Sequence, residues 1–177
     1  LTSRILPGMG AVTETAPAAP AGAAAGAGVS LAFSGDFVVC ADNAKFIMAF
    51  VNLGLVPDTG GTYLFVKSLG IQKAMELCVT GRPMKAQEAK DAGMVYDVVP
   101  AEELDDTVMK LAKKFASGPL LSYKNIKKQI YQAGLADYKK YLDECEIPTQ
   151  RECAASSDFI EGVKAFMEKR KAEFKGE

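Results

Sequence analysis

Val56-Pro57-Asp58-Thr59-Gly60-Gly61 sets one carboxylate between a proline and two glycines, just ahead of an apolar helical run. Pro57 presets the turn, and Asp58 or Thr59 is an ordinary helix cap. The same carboxylate suits a second task. That functional reading needs it to point into an apolar pocket of Phe46, Met48, Phe50 and Leu55. Desolvation there raises its proton affinity and the helix N-terminus lowers it, so spacing alone leaves cap and base both open. Upstream, Gly26-Ala27-Gly28 precedes the apolar stretch from Val29 to Phe33. Glycine lets a ligand approach the backbone, and the N–H of Ala27 faces out of a first helical turn, where negative charge is favoured. One such donor on an oxyanion is worth about 3 kcal/mol in a transition state. The bland alternative is a glycine-rich turn with no ligand, because a single motif of this kind is weak. The basic run Lys169-Arg170-Lys171 completes a helix dipole or meets a phosphate.

What is missing narrows the chemistry. The 177 residues include no His and no Trp, so Ser-His-Asp and Cys-His nucleophiles, His-ligated zinc and imidazole shuttles are all excluded within this chain. No metal site is expected. A net charge of −1 offers nothing to nucleic acid or to an anionic membrane surface. Cys40, Cys78, Cys145 and Cys153 form no CxxC pair and no disulfide framework, and Cys40 and Cys78 lie in apolar runs that read as core. A reducing cytoplasm is the expected compartment. No window reaches the ~18 unbroken apolar residues of a membrane span. The opening LTSRILPG lacks the apolar stretch of a signal peptide.

These groups need elements to hold them. The patterning predicts a short helix over 28–34, a buried strand over 36–40, another over 45–48, and a helix over 62–69 stopped by Gly70. A helix over 71–79 ends at Gly81, a short one covers 86–92, and a strand over 94–99 closes at Pro100. Beyond it the chain reads as helical. Residues 101–117 carry Leu104, Val108, Leu111 and Phe115 at helical spacing. Pro119 opens a helix as its first residue, with Leu120, Tyr123, Ile126 and Ile130 on one face. A helix follows over 137–146. The last begins at Asp158, with Glu161 completing a capping box, and runs through Val163, Phe166 and Met167 to its basic end. Residues 16–27 are either a flexible linker or the end of a strand with a tight loop, and Pro17 and Pro20 argue against a central strand. The length suits one α/β domain: a small βα core over 1–118 and a helical region over 119–177.

Taken in order, AAGAGVSLAFSGDFVVCADNAKF, NLGLVPDTGGTYL, AMELCVTGRPMKAQEAKDAGMVYDVV and the closing EGVKAFMEKRKAEFKG resemble the enoyl-CoA hydratase/isomerase (crotonase) superfamily, over roughly residues 22–177. The resemblance implies a crotonase-type ββα spiral core, incomplete at its N-terminus, and a C-terminal helical region that mediates trimers or hexamers. It implies an acyl-CoA thioester substrate, with coenzyme A part of the substrate rather than a cofactor, and an enolate held by two backbone N–H groups. Ala27, between Gly26 and Gly28, matches the second donor; the first belongs to an earlier segment. Hydratases of the family carry two glutamates, at positions that are Ser30 and Phe50 here, and neither serves as a general base. Asp58 matches the aspartate of some family isomerases, and FIMAFVNLGLVPDTGG is most similar to the epoxyphenylacetyl-CoA isomerase group. A dehalogenase with an aspartate at this position also uses a Trp and a His, which this chain lacks. Lys175 matches a position that meets the 3′-phosphate of coenzyme A. The implied function is double-bond or ring isomerisation within acyl-CoA and fatty acid metabolism. A hydratase (a lyase) using Asp58 and a further acid is one alternative. A non-catalytic acyl-CoA-binding or assembly subunit is the other.

Overall fold

A computed structural model describes residues 17–18 and 20–176; the reading of residues 1–15 lies outside them. Pro17–Ala18 (β1) and Ala23–Ala25 (β2) come first. The alanine-rich stretch therefore holds strands, and β1 is at a sheet edge, where a residue without an N–H is tolerated. Gly26 turns the chain at φ +56°, a left-handed conformation natural to glycine, and its N–H donates to Ile47 O at 2.9 Å. Ala27–Phe33 (α1) follows, then Phe37–Ala41 (β3) and Lys45–Ile47 (β4). Val38, Val39, Cys40 and Ala41 are all buried, as a strand covered on both faces requires.

Ala49–Leu53 is a 3₁₀ turn, and Gly61–Thr80 (α2) begins just after Asp58. Gly70 breaks α2 with φ +75° and ψ 169°, at the residue expected to stop a helix. Met84–Lys85 (β5) and Ala86–Asp91 (α3) lead to Asp97–Val99 (β6). The strand expected over 94–99 is thus shorter. Residues 94–96 stay outside the ladder, although the Tyr96 N–H reaches Val38 O at 2.7 Å. Leu104–Ala116 (α4) and Leu120–Gly134 (α5) come next. Pro119 sits at the N-cap of α5, one place earlier than expected.

Tyr138–Tyr141 (α6), a π-helical turn at Leu142–Glu146 and Ile147–Ala154 (α7) run on without a break, so the helix expected over 137–146 continues to residue 154. Pro148 accounts for the wide turn. It has no N–H for the Glu144 carbonyl and its ring crowds that carbonyl, so the regular bonding pattern is lost just ahead of it. Ser157–Met167 (α8) is capped by Ser156, whose hydroxyl oxygen accepts from the Phe159 N–H at 3.1 Å. The expected Asp158/Glu161 capping box does not form. Asp158 instead accepts from the backbone of Lys175 and Gly176 at 2.7 and 2.8 Å, and Glu161 takes Arg170.

Two three-stranded sheets are present among the described residues, ordered β1-β3-β6 and β2-β4-β5. The first is parallel, with Val39 opposite Asp97 and Cys40 opposite Val98; β4 and β5 are antiparallel, with Phe46 opposite Met84. The chain packs as two compact units. One holds the described residues up to Ala24, with Leu31–Phe46 and Met84–Ala136. Its core is Val39, Ala41, Leu104, Val108 and Leu111, with Phe37, Val99 and Phe115 against them, so the predicted stripe of α4 is the buried one. Ile126 and Ile130 of α5 stay exposed. Cys40 is fully buried here, and burial pushes its thiol up to about 11, beyond reactive use at neutral pH. The other unit holds Ala25–Ser30, Ile47–Pro83 and the chain from Asp137 onward. Among the described residues, no helix is long and apolar enough to cross a membrane.

Candidate active site

The second unit assembles its polar centre around the Asp58 turn. Thr59 and Gly60 both take positive φ, +55° and +78°, which lets the chain reverse tightly into α2. The Asp58 carbonyl accepts from the Gly61 N–H at 3.1 Å, from the Thr59 hydroxyl at 2.7 Å and from the Ser30 hydroxyl at 3.2 Å. Ser30 is buried. It stands one turn along α1 from Ala27, about 4.5 Å in axial rise. A single side chain thereby ties the aspartate turn to the helix that Ala27 opens. Gly61 makes the approach possible: a Cβ there would lie 2.7 Å from Ser30 Oγ and 2.8 Å from Met48 Cε. Gly60 is as confined, with the Tyr138 hydroxyl 1.8 Å from where its Cβ would be.

Two groups of this centre were not among those expected from the sequence. Glu146, the last residue of the π turn, is 4% exposed and accepts from the Gly60 N–H at 2.8 Å. Gln150, one turn further, donates through Nε2 to Asp58 Oδ2 at 3.4 Å. Burial raises the proton affinity of the Glu146 carboxyl; the Gly60 N–H pulls it back, and the neighbouring Asp58 charge adds to the rise. Tyr138 and Tyr141 of α6 are raised by burial as well. Tyr63 stacks at 4.9 Å from Tyr138 and 5.4 Å from Tyr141 and donates to Asp137 at 2.5 Å, which fixes the start of α6 on α2. The 138–154 segment looks like a solvated helix, with charges along most of its length. The i, i+4 spacing of Glu146 and Gln150 around Pro148 is the one signal that it carries.

The other expected residues fall as follows. Gly26 and Gly28 flank Ala27 at the opening of α1, where an N–H has no partner within the helix. The Phe50 ring lies 3.7 Å from the position of a Gly26 Cβ, so a buried ring fills the place where the resemblance puts a glutamate. Met48 is buried beside Gly61, and Leu55 is half-buried, its N–H on the Phe50 carbonyl at 3.0 Å. Phe46 belongs to the other unit, where its ring packs 4.6 Å from Phe33. Lys175 is exposed and borders a depression with Ser157, Asp158, Glu161, Arg170 and Glu173. Among the described residues, no three His, Cys, Asp or Glu side chains gather as metal ligands.

This arrangement has known relatives. A trans-2-decenoyl-(acyl-carrier-protein) isomerase of Streptococcus mutans is 39% identical over 155 residues, and a 1,2-epoxyphenylacetyl-CoA isomerase of Escherichia coli is 43% identical over 155 residues. Each match takes in 88% of this chain and 59% of the relative, so the chain spans less than two thirds of their length. The crystal structure of an enoyl-CoA hydratase from Mycobacterium avium subsp. paratuberculosis superimposes with a TM-score of 0.83 at 34% identity, over 91% of this chain and 63% of that one. The α/β crotonase fold expected from the resemblance is therefore the fold of the chain. The family model described as enoyl-CoA hydratase/isomerase matches residues 15–177, and the chain belongs to that family.

Proposed function

We propose that this chain carries the proton-transfer half of an acyl-CoA isomerase site. Asp58 is the base: it takes a proton from one carbon of an unsaturated or ring-derived acyl-CoA and returns it to another. The N–H of Ala27 steadies the thioester enolate between the two events. Met48, Phe50 and Leu55 supply the apolar wall, and Lys175 meets a phosphate of coenzyme A. The observation that carries this reading is that Asp58 Oδ1 is buried with no hydrogen-bond partner, while Ser30 and Phe50 offer no carboxylate. A carboxylate oxygen kept out of water and left unengaged suits proton abstraction. The isomerase names of two relatives support the same direction, and the homotrimer or hexamer expected of the family is part of the proposal.

Asp58→Asn tests it on a 3-enoyl-CoA. Turnover falls by about 10²–10⁴-fold if Asp58 is the base. Unchanged turnover removes Asp58 from that role. Water addition is the second reading, favoured by Glu146: a hydratase needs two acids, and this one is buried close to Asp58. Stereospecific hydration of crotonyl-CoA distinguishes it. Calorimetric titration with an acyl-CoA completes the set, since tight binding without either turnover points to a non-catalytic binding subunit.

A further inference from the structure

Three side-chain oxygens of the second unit are buried without a donor: Asp58 Oδ1, Glu146 Oε2 and Gln150 Oε1. Their owners are tied together. Gln150 Nε2 donates to the other oxygen of Asp58, and the Gly60 N–H donates to the other oxygen of Glu146. Glu146 and Gln150 are four residues apart and share a helix face, and they grip residues 58 and 60 of one turn. Each of the three therefore spends one polar atom on the cluster and keeps one oxygen over. Leaving a buried acceptor without a partner is costly. Three acceptors together cannot satisfy one another, because none brings a hydrogen. Tyr138 and Tyr141 from α6 both lie near enough to Glu146 to feel its charge. Neither is a cation that would hold two ionised carboxyls together. A proton on one carboxyl eases the conflict: it converts one of the three acceptors into a donor and removes one of two like charges.

We propose, on the reading of Asp58 as the base, that Asp58 and Glu146 form one buried carboxyl pair, in which Glu146 holds the single resting proton and Asp58 is the member left to act on substrate. Glu146 has the better claim to the proton. It is the more buried of the two, and its free Oε2 is the position where a hydroxyl would sit while Oε1 stays on the Gly60 N–H. It is a positioning residue, since it touches the Asp58 turn rather than the reacting carbons. In the step itself a C–H bond breaks, the proton goes to Asp58 and the electron pair stays in the thioester enolate. Asp58 then gives the proton back at the new carbon while Glu146 keeps its own. A neutral Glu146 leaves the Asp58 base without a second negative charge beside it.

Carbon-13 labelling of the glutamate side-chain carboxyls, followed by NMR titration of the chain, tests this without turnover. Glu146→Gln assigns the Glu146 signal by its loss, and its amide oxygen can keep the Gly60 hydrogen bond. The expected result is a Glu146 midpoint above those of the exposed glutamates, shifted back toward them in Asp58→Asn. A wild-type titration with no upshifted glutamate overturns the proposal, and so does a Glu146 midpoint that Asp58→Asn leaves in place. The isomerase reading stands or falls separately on the turnover of Asp58→Asn.

Discussion

Ser30 and Glu146 both hold the Asp58 turn, one on its carbonyl and one on the N–H two residues later. Removing the Ser30 hydroxyl leaves the Asp58 carbonyl with the Gly61 N–H and the Thr59 hydroxyl, so the group is not orphaned. Ser30→Ala is expected to cost about 0.5–1.5 kcal/mol in denaturant unfolding, the ordinary net worth of a hydrogen bond. Glu146 has a different signature, in pH rather than in magnitude. Its folded proton affinity is raised above the unfolded one, so its contribution is fully present below the unfolded value and is lost as pH rises through the folded value. Glu146→Gln removes that loss. The difference in stability between Glu146→Gln and wild type should move in favour of the variant between pH 5 and pH 8, read from urea midpoints at both. Asp58 is legible in the sequence because Pro57 and Gly60-Gly61 announce a turn around it. Glu146 is not: Pro148 marks the wide turn, but Glu146's burial depends on a glycine N–H far away in the chain, which has no local composition signal.

The elements that carry these groups were legible where glycine or apolar spacing marks them: Gly70 and Gly81 in and after α2, the Leu104–Val108–Leu111 stripe of α4, the apolar run of β3. Capping was harder to read. Asp158-x-x-Glu161 has the right spacing for a box, yet Ser156 takes the cap and leaves both acids to the C-terminal tail. The apolar residues of α8 also fall differently from a simple core stripe. Its buried residues are Gly162 and Ala165, whereas Phe166 and Met167 are exposed. The reason is close backbone approach. A Cβ on Gly162 would stand 2.7 Å from Leu53 backbone atoms, and one on Gly54 would stand 3.1 Å from the Asp158 backbone. Two glycines thus set α8 directly against the 3₁₀ turn that follows β4. Backbone cannot swing aside as a side-chain tip can, so Gly162→Ala is expected to destabilise by about 1–3 kcal/mol, with α8 losing amide protection in hydrogen exchange before α2 does. The same helix is braced by Arg170, whose guanidinium and the Glu173 N–H hold the Glu161 carboxyl down to about 2. That pairing stabilises above the unfolded glutamate value and is lost only as pH falls toward about 2.

Over the chain as one protein, the order of several weak motifs identified the family, whereas no single motif did. What that order left open is how the exposed apolar side chains are used. Ile160 and Met167 of α8 are seven residues apart, on one side of the helix, and are 68% and 77% exposed; Phe166 beside them is 76% exposed. Burying each such side chain is worth about 1.5–3 kcal/mol. Scattered exposed hydrophobics are ordinary, but Ile160 and Met167 line up along one side of α8, with Phe166 projecting about 100° round from Met167, and together they leave a broad apolar area open. The proposed trimer or hexamer gives that surface a use, with α8 against a second copy. Light scattering after gel filtration should then give three or six times the 18.8 kDa of this chain. Phe166→Glu combined with Met167→Glu should reduce that mass while leaving the circular dichroism of the helices unchanged, because neither side chain contributes to the buried face. A wild-type mass of one chain at micromolar concentration removes the assembly. An assembled double variant moves the contact to some other surface, such as the exposed Leu121 and Ile130 of α5.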